Sequence, residues 1–305
     1  MTSCVLITGA TGFLGSRCVR LLLDRGFDVH CVVRSPSDLS KLPGVVTHEA
    51  DLLEKSERER LFEFCAPSHF LHMAWCTAPI VCWQSPDNFR WLEASAHLAS
   101  LFVKHGGSRF IGVGTCAEYD WKQGLCSELS TSLSYATPYA RCKNAFHGEI
   151  RRLNAQTGLP YCWARIFFSY GRGEPPQKLI SSAMVSLADN REFVCKSGDL
   201  RRDYIYADDV AEALVRLLTS SFIGSMNIGT GLASKISDIV FLVAEMLGRT
   251  PLVRMMDSES LEPPLVVADT TRLTTELGWH PSWSLDMGVA RMIEEFRAEF
   301  GNRRQ

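Results

Sequence analysis

Two residues near the middle of the chain, Tyr139 and Lys143, lie four positions apart at the start of a predicted helix. This spacing puts both side chains on one helix face. The positive charge of Lys143 and the helix N-terminus are expected to lower the pKa of the Tyr139 phenol from its usual value of about 10. The pair therefore predicts an acid–base tyrosine at neutral pH; a chance Tyr–Lys pairing is the alternative.

A glycine-rich segment near the amino terminus has the pattern of a phosphate-binding loop. Gly9, Gly12 and Gly15 lie between a predicted strand at 4–8 and a helix predicted to begin at Gly12. Without Cβ atoms, Gly9 permits a tight turn, Gly12 lets backbone N–H groups approach a pyrophosphate, and Gly15 allows close helix–strand packing. The alternative is an ordinary glycine-rich turn, but the position in a βαβ unit favours dinucleotide binding.

The end of the second predicted strand bears on the choice of cofactor. About twenty residues past the glycines the sequence reads Val32-Val33-Arg34-Ser35, with no acidic residue for a ribose hydroxyl. The guanidinium of Arg34 would bind a 2′-phosphate bidentately. The sequence therefore favours NADP(H) over NAD(H), and a solvated surface arginine is the alternative.

The elements that position these residues alternate short apolar runs with amphipathic stretches, which is typical of parallel βαβ units. We predict an α/β fold: a Rossmann-type doubly wound parallel sheet with a smaller, mainly helical C-terminal substrate region. The dinucleotide-binding domain is expected to comprise residues 1–166 and 199–224, and the substrate-binding region residues 167–198 and 225–305. Strands are predicted at 4–8, 28–33, 69–72, 109–114 and 159–166, and helices at 53–64, 86–105, 138–154, 178–188, 208–218, 236–247 and 285–296.

Composition and charge restrict the class of protein. The 305 residues carry 32 Lys and Arg against 34 Asp and Glu, a net charge of −2, so neither nucleic acid nor an anionic membrane is expected as a partner. No leader pattern and no long apolar run is present, which predicts a cytoplasmic protein. The eleven cysteines form no C-x-x-C pair. They are interpreted as reduced, buried thiols, and no metal site is predicted.

The run TGATGFLG, positions 8–15, resembles the first-strand signature of the extended short-chain dehydrogenases/reductases. Further landmarks of that family cover nearly the whole chain: Thr115 after a strand end, the Tyr139–Lys143 pair, and the segments 165–171, 202–210 and 226–231. The chain is thus similar to the NAD(P)-dependent epimerases, dehydratases and reductases of nucleotide sugars in that family. The resemblance implies that Thr115 is the third catalytic residue, which binds the substrate oxygen while Tyr139 donates the proton. A turn or capping threonine is the alternative.

The same resemblance implies a set of binding residues. Asp51 and Leu52 would flank the adenine, and Arg202 with the help of Lys178 would bind the substrate pyrophosphate. Trp75 follows a strand end at the expected cleft and could stack on a sugar or base, with core packing as the alternative. For Trp83 and Trp91, core packing is expected. The cofactor contacts are Gly9, Thr11, Gly12, Phe13, Leu14, Gly15, Arg34, Asp51, Leu52, Ala74, Tyr139, Lys143 and Ile166, and the substrate contacts are Trp75, Thr115, Cys116, Ala117, Phe168, Lys178 and Arg202.

The residues after Thr115 narrow the reaction type. The family's 4,6-dehydratases carry an Asp-Glu pair where this chain has Cys116 and Ala117, so dehydration is not expected. The fucose-synthase type has a Cys in place of Ala117, so that activity also loses support. Phe168 stands where an Asn usually contacts the sugar-nucleotide phosphates, so the substrate is expected to sit differently. Of 4-keto reduction and 4-epimerisation, Arg34 favours reduction, because only a reductase consumes a diffusible reduced cofactor.

Three further interpretations remain open from the sequence. The chain could reduce a ketone or aldehyde outside sugar metabolism, since the chemistry would be the same. It could be a non-catalytic NADP-binding sensor, although such a protein need not retain Thr115, Tyr139 and Lys143. The family resemblance also suggests a homodimer through the helices at 86–105 and 138–154.

Overall fold

The computed structural model describes residues 3–35, 44–256, 260 and 262–302. Within these residues, seven parallel strands form the central sheet, in the order β12-β7-β5-β4-β1-β2-β3. This arrangement confirms the predicted doubly wound α/β fold. In chain order the strands are β1 Cys4–Thr8, β2 Asp28–Val33, β3 Val46–Glu49, β4 His69–His72, β5 Arg109–Thr115, β6 Leu125–Cys126, β7 Tyr161–Ile166, β8 Phe168–Tyr170, β9 Phe193–Cys195, β10 Arg201–Arg202, β11 Tyr204–Tyr206, β12 Gly224–Ile228, β13 Ser234–Lys235, β14 Val253–Met255 and β15 Leu265–Ala268.

Helices cover both faces of the central sheet, because its strands are apolar on both sides. Side chains of α1 and α6 join one hydrophobic core, and those of α2, α3 and α4 join the core on the opposite face. None of the described helices is both long and apolar enough to cross a membrane. The helices are α1 Gly15–Asp24, α2 Lys55–Phe64, α3 Asp87–Lys104, α4 Pro138–Thr157, α5 Leu179–Ala188, α6 Ala207–Thr219, α7 Ile236–Leu247, α8 Thr271–Thr275 and α9 Leu285–Asn302.

The C-terminal part of the chain packs α5, α7 and α9 around a third hydrophobic core. It is less exclusively helical than expected, because short strands also pair there: β8 with β11, β9 with β14, and β13, β10, β15 and β6 in a four-stranded sheet. Strand β12 joins the central sheet beside β7. All six residues of β7 are buried, so it needs a strand on each side. The expected domain boundary at residue 224 therefore cuts through a strand of the central sheet.

Helix α1 begins three residues later than predicted, at Gly15 rather than Gly12. The residues before it form a turn in which the N–H of Gly12 donates to the carbonyl of Gly9 at 3.0 Å. Each strand predicted in the first half is present at its predicted place within two residues, since the periodicity that specified it is local. The carboxyl ends of β1, β2, β4 and β5 meet at one edge of the sheet, where ligands of this architecture bind.

Candidate active site

The glycine-rich turn after β1 is packed against the end of β4. Gly9 has a φ of +72°, and a Cβ there would lie 3.0 Å from the backbone nitrogen of Ala74. A Cβ on Gly15 would overlap the carbonyl group of Gly9, so this close helix–strand packing requires glycine at both positions. No hydrogen bond among the described residues uses the backbone N–H of Phe13 or Leu14. The turn therefore fits an anionic phosphate at the start of α1.

Buried polar side chains hold the ends of β1 and β4 together beneath this turn. The hydroxyl of Thr8 accepts from the N–H groups of Met73 and Ala74, both at 3.2 Å, and hydrogen-bonds Nδ1 of His72 at 2.8 Å. Nε2 of His72 hydrogen-bonds the hydroxyl of Ser95 at 2.8 Å. Burial lowers the pKa of His72 to about 3, so the imidazole is neutral. Ala74 is thereby fixed beside the glycine turn, where the sequence places a cofactor contact.

Arg17 connects the glycine turn to the rest of the sheet domain. Its guanidinium donates to the carbonyl of Phe13 at 2.6 Å, to Asp208 at 2.6 Å and to the carbonyl of Arg172 at 2.8 Å. On the other side of the turn, Lys178 lies 5.5 Å from the Phe13 ring and donates to the carbonyl of Ser169 at 2.9 Å. Lys178 therefore lies between the glycine turn and the C-terminal region.

The residues expected to contact the adenosine end lie after β2 and β3, which pair in parallel. Arg34 is exposed directly after β2, next to residues 36–43, which lie outside the described residues. Asp51 is exposed, and its carboxylate accepts from the N–H of Leu53 at 2.9 Å. Leu52 is buried in the core below. Arg34 and Asp51 thus flank the same edge of the sheet as Gly9.

The structure brings Thr115 and Tyr139 together. Thr115 is the last residue of β5, and Tyr139 lies in the first turn of α4, which is capped by the Thr137 hydroxyl. Burial raises the pKa of Tyr139, and this outweighs the opposing effect of the Thr115 hydroxyl. The expectation of a lowered pKa is therefore wrong for this chain, because desolvation disfavours the phenolate.

Lys143 is buried, and its ammonium contacts groups other than the Tyr139 phenol that the sequence analysis paired it with. Its Nζ donates to the carbonyl of Val113 at 2.8 Å and lies 3.9 Å from the ring centroid of Trp75. Burial lowers the pKa of Lys143 to about 7, and the nearby carboxylate of Glu118 opposes this change only in part. The ammonium is therefore lost close to neutral pH.

The pKa of Lys143 predicts how its removal changes stability. An unfolded lysine titrates near 10.5, so the native state is destabilised below pH 7, and this effect disappears as the pH rises to 10.5. The two values limit the effect to roughly 5 kcal/mol. We expect Lys143→Met to raise the free energy of unfolding at pH 6 by about 1–3 kcal/mol and to flatten its rise between pH 7 and 10.

Chemical denaturation across this pH range measures the effect. The matched control is Lys104→Met, which changes an exposed lysine and is expected to alter the free energy of unfolding by less than about 0.5 kcal/mol. A Lys143→Met variant less stable than the wild type at pH 6 would contradict the prediction.

Two of the tryptophans exchange their expected places. Trp75, expected to stack on substrate, is buried: its indole N–H donates to Asn88 at 2.8 Å and its ring stacks on Trp91. Trp83, expected in the core, is 37% exposed and meets the Tyr139 ring edge-on, with centroids 5.7 Å apart. Trp91 packs against the hydrophobic core, as expected. Trp83 is thus an aromatic residue beside Tyr139 that the sequence pattern did not assign to the site.

A buried ion pair supports Thr115 from beneath, and the sequence interpretation missed it. Glu118 is fully buried, and its carboxylate accepts from the N–H of Thr115 at 2.9 Å, the indole of Trp163 at 2.8 Å and the guanidinium of Arg165 at 2.7 Å. Arg165 also donates to the hydroxyl of Tyr119 at 3.1 Å. A signal was present, because Arg165 interrupts an otherwise apolar strand and a buried charge requires a partner.

The two positions after Thr115 carry no acid–base group. Cys116 and Ala117 are both buried, and the N–H of Ala117 donates to the Thr115 hydroxyl at 3.3 Å. Burial raises the pKa of the Cys116 thiol, so it does not ionise near neutral pH. Ile166 at the end of β7 is opposite Thr115 in the strand register and is buried.

The expected phosphate ligand Arg202 lies in the C-terminal region, where it is buried. Its guanidinium donates to Glu262 at 2.8 Å and to the carbonyl of Pro263 at 3.0 Å, and lies 5.8 Å from the rings of Trp121 and Phe168. The side chain of Glu262 is 61% exposed. A phosphate approaching Arg202 would therefore compete with this carboxylate.

The central sheet, the glycine turn after its first strand and the Tyr–Lys pair are features of a known group of enzymes. The model of the NAD dependent epimerase/dehydratase family matches residues 5–229. The chain belongs to this family. Family membership confirms the resemblance to the extended short-chain dehydrogenases/reductases that the sequence motifs indicated.

Individual members of the epimerase/dehydratase family match over almost the full chain. The dTDP-glucose 4,6-dehydratase of Salmonella typhimurium is 24% identical, over 96% of this chain and 92% of the relative. The structure of UDP-glucose 4-epimerase from Thermotoga maritima with UDP-glucose has a TM-score of 0.87 at 22% identity, covering 97% of this chain and 99% of that one. The UDP-glucose 4-epimerase of Thermus thermophilus, in complex with NAD, has a TM-score of 0.83 at 25% identity, covering 96% and 99%.

Proposed function

We propose that this member of the family catalyses the NADPH-dependent reduction of the 4-keto group of a nucleotide-activated 6-deoxy sugar. The observation that carries the proposal is the state of Tyr139. Tyr139 lies in the first turn of α4, beside Thr115 at the end of β5, and burial raises the pKa of its phenol. A neutral phenol is the form that donates a proton to a carbonyl oxygen, whereas oxidation of an alcohol would require the phenolate.

The residues divide the reaction as follows. Thr115 holds the carbonyl oxygen by a hydrogen bond, and Tyr139 donates its phenolic proton to that oxygen as it gains negative charge. The glycine turn after β1 and Arg34 would hold NADPH, which would supply the hydride for the carbonyl carbon. Lys143, whose Nζ donates to the carbonyl of Val113, would contact this cofactor. Glu118 fixes the backbone of Thr115.

The residues after Thr115 support reduction over dehydration. A 4,6-dehydratase needs additional acid and base groups to remove water, and Cys116 and Ala117 supply neither. The Salmonella relative is named a dehydratase, so we infer that this chain retains the sugar-nucleotide class of substrate with a simpler reaction. Lys178 and Arg202 are the cations proposed to bind the substrate phosphates, with Phe168 beside Arg202.

The preference for NADPH is proposed to depend on Arg34. We expect Arg34→Ala to raise the KM for NADPH by about 10- to 100-fold, because a charge-assisted bidentate contact to the 2′-phosphate is lost. The KM for NADH should change by less than about threefold, since NADH lacks that phosphate. Steady-state kinetics with both cofactors measure this, with Arg60→Ala on exposed α2 surface as the matched control. Equal losses for NADPH and NADH would contradict the assignment.

A nucleotide-sugar 4-epimerase is the second candidate. The observation in its favour is the 25% identity to the Thermus thermophilus epimerase, whose structure contains NAD. Such an enzyme recycles its own cofactor and produces no net oxidation of NADPH. The two activities can therefore be distinguished in one assay.

The experiment mixes purified protein with NADPH, and separately NADH, and a panel of nucleotide-linked 4-keto-6-deoxy sugars. Cofactor absorbance and product identity are followed. Net NADPH oxidation with one sugar would support the reductase, and interconversion of 4-hydroxy epimers without net oxidation would replace it with the epimerase. Oxidation only with simple ketones or aldehydes would move the substrate outside the nucleotide sugars. NADPH binding with no turnover on any of these would favour the sensor.

Other expectations from the sequence stay predictions. They are the division into a dinucleotide-binding domain and a substrate-binding region, the homodimer through α3 and α4, and the cytoplasmic location. All eleven cysteines are free thiols in the structure, which is compatible with a reducing compartment.

A further inference from the structure

Three potential metal ligands, Cys4, His30 and Cys65, meet on the face of the sheet that is covered by α2, and His48 adjoins His30 there. In parallel β1 and β2, His30 is paired with Leu6, and in β2 and β3, His48 is paired with Val32. Leu6 and Val32 both belong to the core on the α2 side, so the two histidines point to that side as well.

Two cysteines complete the group from the same side. Cys4, the first residue of β1, packs against the same core, and Cys65, which follows the last residue of α2, is buried within it. Ligand atoms of Cys4, His30 and Cys65 all lie within 4.8 Å of one another. Sγ of Cys65 is 3.3 Å from Nδ1 of His30, which is 2.8 Å from Nε2 of His48.

The distances from Nδ1 of His30 to Cys65 and to His48 are close to those between ligands of a tetrahedral zinc site, whereas His48 does not share the 4.8 Å limit with both sulfurs and would have to turn towards them. With Zn–S bonds of about 2.3 Å and Zn–N bonds of about 2.0–2.1 Å, neighbouring sulfur and nitrogen ligands lie about 3.5 Å apart and two nitrogens about 3.3 Å apart. The hydrogen bonds among these four side chains would be replaced by bonds to the metal after movements of a fraction of an ångström for the His30–Cys65 and His30–His48 pairs.

An acidic side chain is placed behind one of the histidines. The carboxylate of Asp28 lies 3.3 Å from Nε2 of His30, the ring nitrogen directed away from the cluster. Histidines that bind metals usually donate this second N–H to a carboxylate, which fixes the ring and leaves the other nitrogen free for the metal. The carboxylate is an observation independent of the cluster itself.

We propose that Cys4, His30, His48 and Cys65 form a binding site for one Zn²⁺ ion, with Asp28 orienting His30. Two thiolates and two imidazoles are a donor set suited to zinc, and four protein ligands leave no position for substrate, so the ion is structural. Cys4 begins β1, at the opposite end of that strand from the glycine turn, while His30 and His48 lie in register with Leu6 and Thr8. The ion would join β1, β2, β3 and the end of α2.

No pattern in the sequence indicated this site, because its ligands are separated by at least sixteen residues and form no closely spaced pair. The test uses reduced, metal-free protein titrated with Co²⁺ and then with Zn²⁺. We expect one equivalent of Co²⁺ to produce the visible bands of a tetrahedral site and the near-ultraviolet thiolate charge-transfer band, and Zn²⁺ to abolish both. Asp28→Asn should weaken Zn²⁺ binding by about 10-fold.

Variants identify the ligands. Cys4→Ser and Cys65→Ser should each remove most of the thiolate band and weaken Zn²⁺ binding by at least about 100-fold, and His48→Gln, on an edge strand, should weaken it with less risk to folding. Cys76→Ser changes a half-buried cysteine outside the cluster and should bind as the wild type does. No thiolate band in the folded wild type, or an unchanged band in folded Cys4→Ser or Cys65→Ser protein, would overturn the proposal.

Discussion

Replacing Tyr139 with Phe is expected to lower the turnover number for ketone reduction by about 10²- to 10⁴-fold, which is the usual contribution of a positioned general acid. Tyr139 lies beside Thr115, and burial raises the pKa of its phenol, which keeps it protonated. Phe retains the ring and its edge-on contact with Trp83, so the fold and the glycine turn should be unchanged. The measurement is steady-state NADPH oxidation together with NADPH binding by fluorescence.

The matched control for this variant is Tyr135→Phe. Tyr135 lies four residues before Tyr139, is 56% exposed and should lose no more than about twofold in turnover. Retention of more than a tenth of the wild-type turnover by Tyr139→Phe, with NADPH binding intact, would remove Tyr139 from the role of proton donor. Loss of NADPH binding together with turnover would instead assign the residue to the cofactor site.

Replacing Glu118 with Leu is expected to lower the free energy of unfolding by about 3–5 kcal/mol, because Arg165 would remain buried without a counter-ion. The carboxylate also accepts the N–H of Thr115, so Thr115 would lose its support. We therefore expect a fall in kcat of at least about tenfold with little change in KM, since the lost interaction positions a residue used in the transition state.

A double variant separates the two effects. Replacing the pair by Glu118→Leu and Arg165→Met leaves no unpaired charge, so most of the lost stability should return. The N–H of Thr115 would still have no acceptor, so kcat should stay low. Denaturant unfolding and steady-state kinetics on the single and double variants test this. Full recovery of kcat with stability would show that Glu118 acts only on the fold.

Several features could be predicted because the information is local in the chain. Strands β1, β2 and β4 and helix α7 lie where the apolar periodicity placed them. Strand β3 was not predicted, because Val46–Glu49 is a short edge strand that is largely polar. The strand at Gly224–Ile228 was missed for a similar reason: its beginning, Gly-Ser, has no β propensity, and pairing with β7 specifies it.

For the candidate catalytic residues, too, some properties could be predicted from the sequence and others could not. The order and spacing of Thr115, Tyr139 and Lys143 indicated the family. One helix face and one strand end bring these three residues to one edge of the sheet. The direction in which the pKa of Tyr139 shifts could not be predicted, because desolvation depends on residues distant in sequence. Trp75 and Trp83 were assigned the wrong surroundings for the same reason.

By itself the sequence determined the doubly wound sheet and the glycine turn after β1 and indicated Thr115, Tyr139 and Lys143 as candidate catalytic residues, because these depend on patterns within a few turns of chain. Only the tertiary structure paired Glu118 with Arg165 and brought Cys4, His30, His48 and Cys65 together. Such groups have no sequence spacing of their own. Their energies arise from burial and from contacts between strands and helices that are joined only when the sheet has formed.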